Sequence, residues 1–127
     1  MSSPLSVPNK ILIVEDHEAT RLGLGALLTN AGYDVLSAST FAEGRRLLTE
    51  HTPDMLIADL RLGEYNGLQL IAAAPVAIPS IIITGFPDPV LEAAALKLGA
   101  RFVTKPIVIE TLLALIEERI VSGGHRK

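Results

Sequence analysis

Met55-Leu56-Ile57-Ala58-Asp59 is an apolar run that stops abruptly at a carboxylate. It follows the turn signal Thr52-Pro53-Asp54. A short, continuously apolar segment after such a signal reads as a strand buried on both faces, as in a parallel sheet. In an open α/β sheet, ligands bind at the carboxyl ends of the strands. The side chain of Asp59 is therefore expected at the edge where chemistry happens.

Outward from that strand the same pattern recurs. Ile11-Leu12-Ile13-Val14 stops at Glu15-Asp16, Ser80-Ile81-Ile82-Ile83 stops at Thr84, and Phe102-Val103-Thr104 is followed by Lys105-Pro106. A further short strand contains Val35-Leu36. Helical patterns lie between them. The first spans about 18–31, with Leu22, Ala26 and Leu27 at helical spacing and Gly32 as its stop. The second opens on Thr40-Phe41-Ala42-Glu43, a capping-box sequence, with Leu47 and Leu48 facing inward. A short third helix covers about 68–74 and leaves Pro75 to Pro79 as an irregular connection. Asp88-Pro89 supplies a cap and a first-turn proline for the fourth, which Gly99 closes. The last runs from about Ile107 to Val121, with Ile109, Leu112, Leu113, Ile116 and Ile120 on one face and Leu115 off it. Strand and helix alternate five times, which predicts an α/β fold with a parallel sheet and helices on both faces.

Bulk properties narrow the function. With 127 residues the chain holds one domain: 1–8 read as a flexible lead-in, 9–121 as the folded unit and 122–127 as a tail or the start of a linker. Aromatics make up 4% and tryptophan is absent, so the core is aliphatic. A net charge of −3 gives no footprint for direct nucleic-acid binding. The absence of cysteine excludes disulfides and thiolate chemistry. No signal-peptide order is present, and the apolar stretch Ile71–Ile83 is short and broken by prolines. A cytoplasmic location without membrane insertion is the expectation.

In a parallel sheet all carboxyl ends share one edge. Glu15, Asp16, Asp59, Thr84 and Lys105 are thus expected to converge on one crevice. Two carboxylates about 4 Å apart repel by roughly 4 kcal/mol at an effective dielectric near 20. Three acids need raised pKa values or a cation. An all-oxygen donor set favours a hard divalent ion, Mg²⁺ or Mn²⁺, which leaves positions open for phosphate oxygens. Lys105 adds a positive point charge and Thr84 a hydroxyl. Such a site suits a phosphoryl group carried by one of the carboxylates. Taken singly, Glu15 and Asp16 read as helix caps, and His17, His51 and His125 as surface residues.

The chain resembles the receiver domain of two-component response regulators over about residues 9–121. The resemblance rests on Ile-Leu-Ile-Val-Glu-Asp (11–16), Met-Leu-Ile-Ala-Asp-Leu-Arg-Leu (55–62), Asn-Gly-Leu (66–68), Ile-Ile-Ile-Thr-Gly (81–85) and Lys-Pro (105–106). It implies a flavodoxin-like, doubly wound sheet of five strands in the order 2-1-3-4-5 with five helices. It implies that Asp59 accepts a phosphoryl group from the phosphohistidine of a kinase or phosphotransfer protein. Asp16, Asp59 and the backbone carbonyl of Arg61 would hold Mg²⁺, with Glu15 acting through a bound water. Lys105 would pair with the phosphoryl group, Thr84 would turn to bond it, and Phe102 would swing inward as the switch aromatic. The Lys105–Pro106 peptide would be cis. The implied role is a signalling domain that catalyses only its own phosphoryl uptake and slow self-dephosphorylation. It would report to an output domain or effector protein, with a homodimer contact through Leu115 and Val108 on the last helix. Several features depart from the pattern, among them a stretch from Gly99-Ala100 to Phe102 that is one residue shorter than common. Gly63 stands where proline is usual, which is expected to loosen 63–66, and Phe102 lacks the hydroxyl of the tyrosine often found there. Haloacid-dehalogenase-type phosphatases also place a nucleophilic Asp at a strand end, but they need a second Asp where this chain has Arg61. A receiver-like adaptor that works without phosphorylation is the other alternative.

Overall fold

A computed structural model describes residues 8–124, with side chains to residue 120. Its elements are β1 (Lys10–Val14), α1 (Glu18–Asn30), β2 (Asp34–Ala38), α2 (Phe41–His51), β3 (Met55–Asp59), β4 (Arg61–Leu62), β5 (Tyr65–Asn66), α3 (Gly67–Ala73), β6 (Ser80–Thr84), α4 (Pro89–Lys97), β7 (Ala100–Thr104) and α5 (Ile109–Gly124). The main sheet has five parallel strands in the order β2-β1-β3-β6-β7. Counted over the main sheet alone, this is the expected 2-1-3-4-5. The expectations for 1–7 and for 125–127, His125 included, fall outside the described residues.

Strand alternation sends neighbouring side chains to opposite faces and so builds two cores. Leu12, Val14, Leu56, Ala58 and Ile82 pack with Leu47 and Leu48 of α2, Leu68 and Leu70 of α3 and Ala95 of α4. Ile11, Ile13, Met55, Ile57, Ile81 and Ile83 pack with Leu24 and Leu28 of α1 and Leu112, Ile116 and Ile120 of α5. Full burial of one such side chain is worth about 1.5–3 kcal/mol. With every position from Met55 to Ala58 buried, β3 is fixed in register, and a one-residue slip would put Asp59 into the core.

Several local expectations change. On α1 the residues facing the sheet are Leu24 and Leu28, whereas Leu22 is 58% and Leu27 46% exposed. Leu22, Ala26 and Leu27 share helical spacing, but the sheet meets the adjacent stripe that carries Leu24 and Leu28. Leu115 packs against the α1–α5 core instead of standing off it, while Val108 is exposed. The helix bearing Leu115 begins at Ile109, with the Val108 carbonyl accepting the first helical bond from Leu112, and its backbone stays helical through Gly124. At Thr40 only half of the capping box forms: its hydroxyl accepts the Glu43 amide at 3.1 Å, and the Glu43 carboxylate lies 3.6 Å from Arg46. The complete box is at Asn66 and Gln69, which caps α3.

The connection after Asp59 also differs from an open loop. Arg61 and Leu62 pair antiparallel with Asn66 and Tyr65. The two-residue link opens on Gly63 at φ +64°, the backbone of a type II′ hairpin turn. Proline is held near φ −65° and cannot occupy that position. The glycine here therefore builds a paired hairpin where a loosened segment was expected.

Candidate functional site

β1 and β3 are adjacent, so their carboxyl ends deliver Glu15, Asp16 and Asp59 side by side. One oxygen of each of the three lies within 4.8 Å of the others. Lys105, in the turn after β7, reaches across with its Nζ 3.5 Å from Glu15 Oε1 and 3.8 Å from Asp59 Oδ2. The Lys105 amide donates to the Thr84 carbonyl at 2.7 Å, which ties this turn to the end of β6. The Lys105–Pro106 bond is cis.

Neither Glu15 nor Asp16 caps α1. His17 does so, its ring Nδ1 accepting the Thr20 amide at 3.3 Å. Glu15 instead turns inward, with its side chain only 3% exposed, and accepts the His17 amide on Oε2 at 3.0 Å. Arg21 of α1 donates from Nη1 to the Glu15 carbonyl at 3.0 Å. Together these bonds lock the turn that carries Asp16. Sequence reading missed Arg21; its one signal was a basic residue in the second turn of the helix after the acid pair.

Burial is the main cause that holds the Glu15 carboxyl above the usual carboxylate range. The His17 amide and Lys105 pull it down, while the charge of Asp59 and the contact with Asp16 push it up. Among the described residues the Lys105 ammonium thus pairs with two of the three carboxyl groups, Glu15 and Asp59. A crowded, all-oxygen set with a deficit of positive charge fits a hard divalent cation.

Thr84 lies at the same sheet edge but not in this cluster. It is buried, donates its hydroxyl to the Phe86 carbonyl at 3.2 Å and accepts the Phe86 amide at 3.1 Å. With Leu60, Arg61, Asn66 and Phe86 it lines a neighbouring cleft of about 320 Å³. Phe102 pairs with Ile82 in the β6–β7 ladder, two positions behind Thr84 and Thr104. It is partly buried against the α2–α4 core, on the same face as Thr84. The Arg61 side chain places its guanidinium 5.4 Å from the centre of the Phe86 ring. Its signal could not be seen in sequence, because the two residues meet only where loops from β3 and β6 come together.

Comparison with known proteins agrees with this architecture. The response regulator receiver domain family matches residues 11–117. Transcriptional regulatory protein GlrR of Escherichia coli K12 is 36% identical over 120 residues, covering 89% of this chain and 26% of that protein. Virulence transcriptional regulatory protein PhoP of Salmonella typhimurium LT2 is 35% identical over 115 residues, covering 85% of this chain and 50% of that protein. The chain therefore spans between about a quarter and a half of the length of these relatives. Among solved structures, a CheY-like receiver domain protein from Methanospirillum hungatei JF-1 is similar at TM-score 0.86 and 26% identity, over 91% of this chain and 96% of that one. The N-terminal domain of an uncharacterized protein from Wolinella succinogenes is similar at TM-score 0.79 and 34% identity, over 87% and 92%. The chain belongs to the response regulator receiver domains, the phosphorylation-controlled signalling domains of two-component systems.

Proposed function

We propose that Asp59 is the phosphoacceptor of this receiver domain. The observation that carries the reading is its place at the end of β3, 12% exposed, beside Glu15 and Asp16 and 3.8 Å from the Lys105 ammonium. An Asp59 oxygen attacks the phosphorus of a phosphohistidine on a kinase or phosphotransfer protein. The new P–O bond forms as the P–N bond breaks, and the leaving imidazole regains a proton. Lys105 offsets charge on the phosphoryl oxygens. Glu15, Asp16, Asp59 and the Arg61 carbonyl are the groups that would hold Mg²⁺ or Mn²⁺. That ion supplies charge neutralisation between the carboxylates and the phosphoryl group. Slow self-dephosphorylation is the reverse displacement with water: its oxygen bonds phosphorus, and the Asp59 O–P bond breaks.

The added charge then draws Thr84 off Phe86 towards the phosphoryl group, and Phe102 moves into the space behind it. This biases an existing two-state equilibrium read by an output domain or effector protein, in the cytoplasm and without contact of this domain to nucleic acid. Of the two residues named for a homodimer contact, Leu115 is packed and Val108 is exposed just before the last helix, so the contact would centre on Val108. Incubation with acetyl phosphate and Mg²⁺, followed by intact mass, tests the chemistry. One added phosphoryl group, lost in Asp59→Ala, is expected; no gain, or equal gain by the variant, overturns the reading. Size-exclusion chromatography of the same samples tests the dimer.

A further inference from the structure

We propose that Tyr65 and Phe41 are positioning residues for the acid cluster, acting through the β4–β5 hairpin. The proposal deepens the reading of Asp59 above and rests on it. The base of the hairpin is fixed: the Leu60 amide donates to the Ile83 carbonyl at 2.8 Å, and the Leu60 carbonyl accepts the Gly67 amide at 3.0 Å. Hydrogen-bonded and non-bonded pairs alternate along an antiparallel ladder. With Leu60 and Gly67 bonded, the next pair, Arg61 with Asn66, is a non-bonded one. The Asn66 amide is indeed given to Gln69 Oε1 at 2.9 Å. The Arg61 carbonyl therefore points away from its partner strand, free for a ligand outside the hairpin.

Beyond its base the hairpin needs a second anchor, and the aromatic pair provides it. The Tyr65 ring stacks on Phe41 with centroids 4.3 Å apart and planes 18° from parallel. Phe41 is the first residue of α2 and packs against the main core, so it is a fixed post. Tyr65 remains 47% exposed, which makes its burial a weak reason for its place. Asp16, Phe41, Leu62, Gly63 and Tyr65 border one cavity of about 320 Å³. The stack thus ties the hairpin, which carries the Arg61 carbonyl, to the start of α2. The Glu15 amide, donating to the Ala38 carbonyl at 3.0 Å, ties the β1–α1 turn with Asp16 to the end of β2 just before it. Gly63 at φ +64° is what lets the hairpin turn bring Tyr65 to Phe41.

The test uses the intact chain as wild type, Tyr65→Ala, Tyr65→Phe and Phe41→Leu, the last keeping an apolar side chain on the core. Isothermal titration with Mg²⁺ and the rate of uptake from acetyl phosphate are measured, with thermal unfolding confirming that each variant is folded at the assay temperature. Loss of an aromatic pair predicts Mg²⁺ binding weaker and uptake slower by about threefold or more in Tyr65→Ala and Phe41→Leu. Tyr65→Phe keeps the stack and should match wild type in both. Wild-type affinity and rate in both Tyr65→Ala and Phe41→Leu overturn the proposal. A wild-type protein that binds no Mg²⁺ and gains no phosphoryl group overturns instead the reading of Asp59.

Discussion

Thr84 and Phe86 exchange two hydrogen bonds, the hydroxyl donating to the carbonyl at 3.2 Å and accepting the amide at 3.1 Å. The hydroxyl proposed to turn towards the phosphoryl group is therefore spent on the loop after β6. Release of Thr84 frees Phe86, and Phe86 carries the ring that faces the Arg61 guanidinium. A phosphoryl group that draws Thr84 away, as proposed, would thereby move the loop above the cleft.

Thr84→Val keeps the buried shape and deletes both bonds. It is expected to cost about 1–2 kcal/mol in urea unfolding. The variant should still gain a phosphoryl group by mass, while amide shifts at Phe86 and Phe102 no longer respond to it. An undiminished response would show that Thr84 is only a loop tie.

Asp59→Asn removes one of three crowded carboxylates. Metal-free stability is expected to rise by about 1 kcal/mol, because repulsion from two neighbouring carboxylates outweighs a single, 3.8 Å contact with lysine. Mg²⁺ at a hundred times its dissociation constant should stabilise the wild type by about 2.7 kcal/mol. The variant should lose most of that gain in the same thermal or urea titration.

Gly67→Ala tests how closely the backbone packs behind the site. A Cβ there would sit 2.7 Å from the Asp59 carbonyl oxygen and 2.8 Å from Ile82 Cδ1. A backbone atom cannot yield cheaply, so a loss of about 2–3 kcal/mol is expected. Gly23→Ala, which meets nothing within 4 Å, is the control. It should be neutral or slightly stabilising, since alanine favours helix by up to about 1 kcal/mol.

Tyr33 gives the fold an alkaline limit away from the site. Its hydroxyl is held above the ordinary value of 10.0, first by burial and then by the charge of Glu117. The unfolded chain ionises at the lower pH, so the native state loses stability as pH rises above that value. Tyr33→Phe should flatten this decline relative to wild type, without altering stability near neutrality by the same mechanism. Parallel slopes for the two proteins would rule the tyrosine out.

The sequence by itself determined the order of elements and the edge at which the polar side chains emerge. Both follow from local physics: apolar runs of strand length alternating with helical repeats favour a parallel sheet, whose strands all end on one edge. Asp59, Glu15, Asp16 and Lys105 were legible on that ground, as were the caps at Asp88 and Gly99. Only the tertiary structure decided the rest, because those outcomes are contests between alternatives of similar local energy. The face α1 turns to the sheet was settled by which stripe packs closer, against Leu22 and in favour of Leu24. His17 took the cap because Glu15 was drawn inward to the cluster, and Leu115 is partly buried because it packs against the core that α1 and α5 share. The meeting of Phe41 with Tyr65 and of Arg61 with Phe86 joins residues far apart in the chain, and no local signal encodes a contact whose partner is placed by the fold.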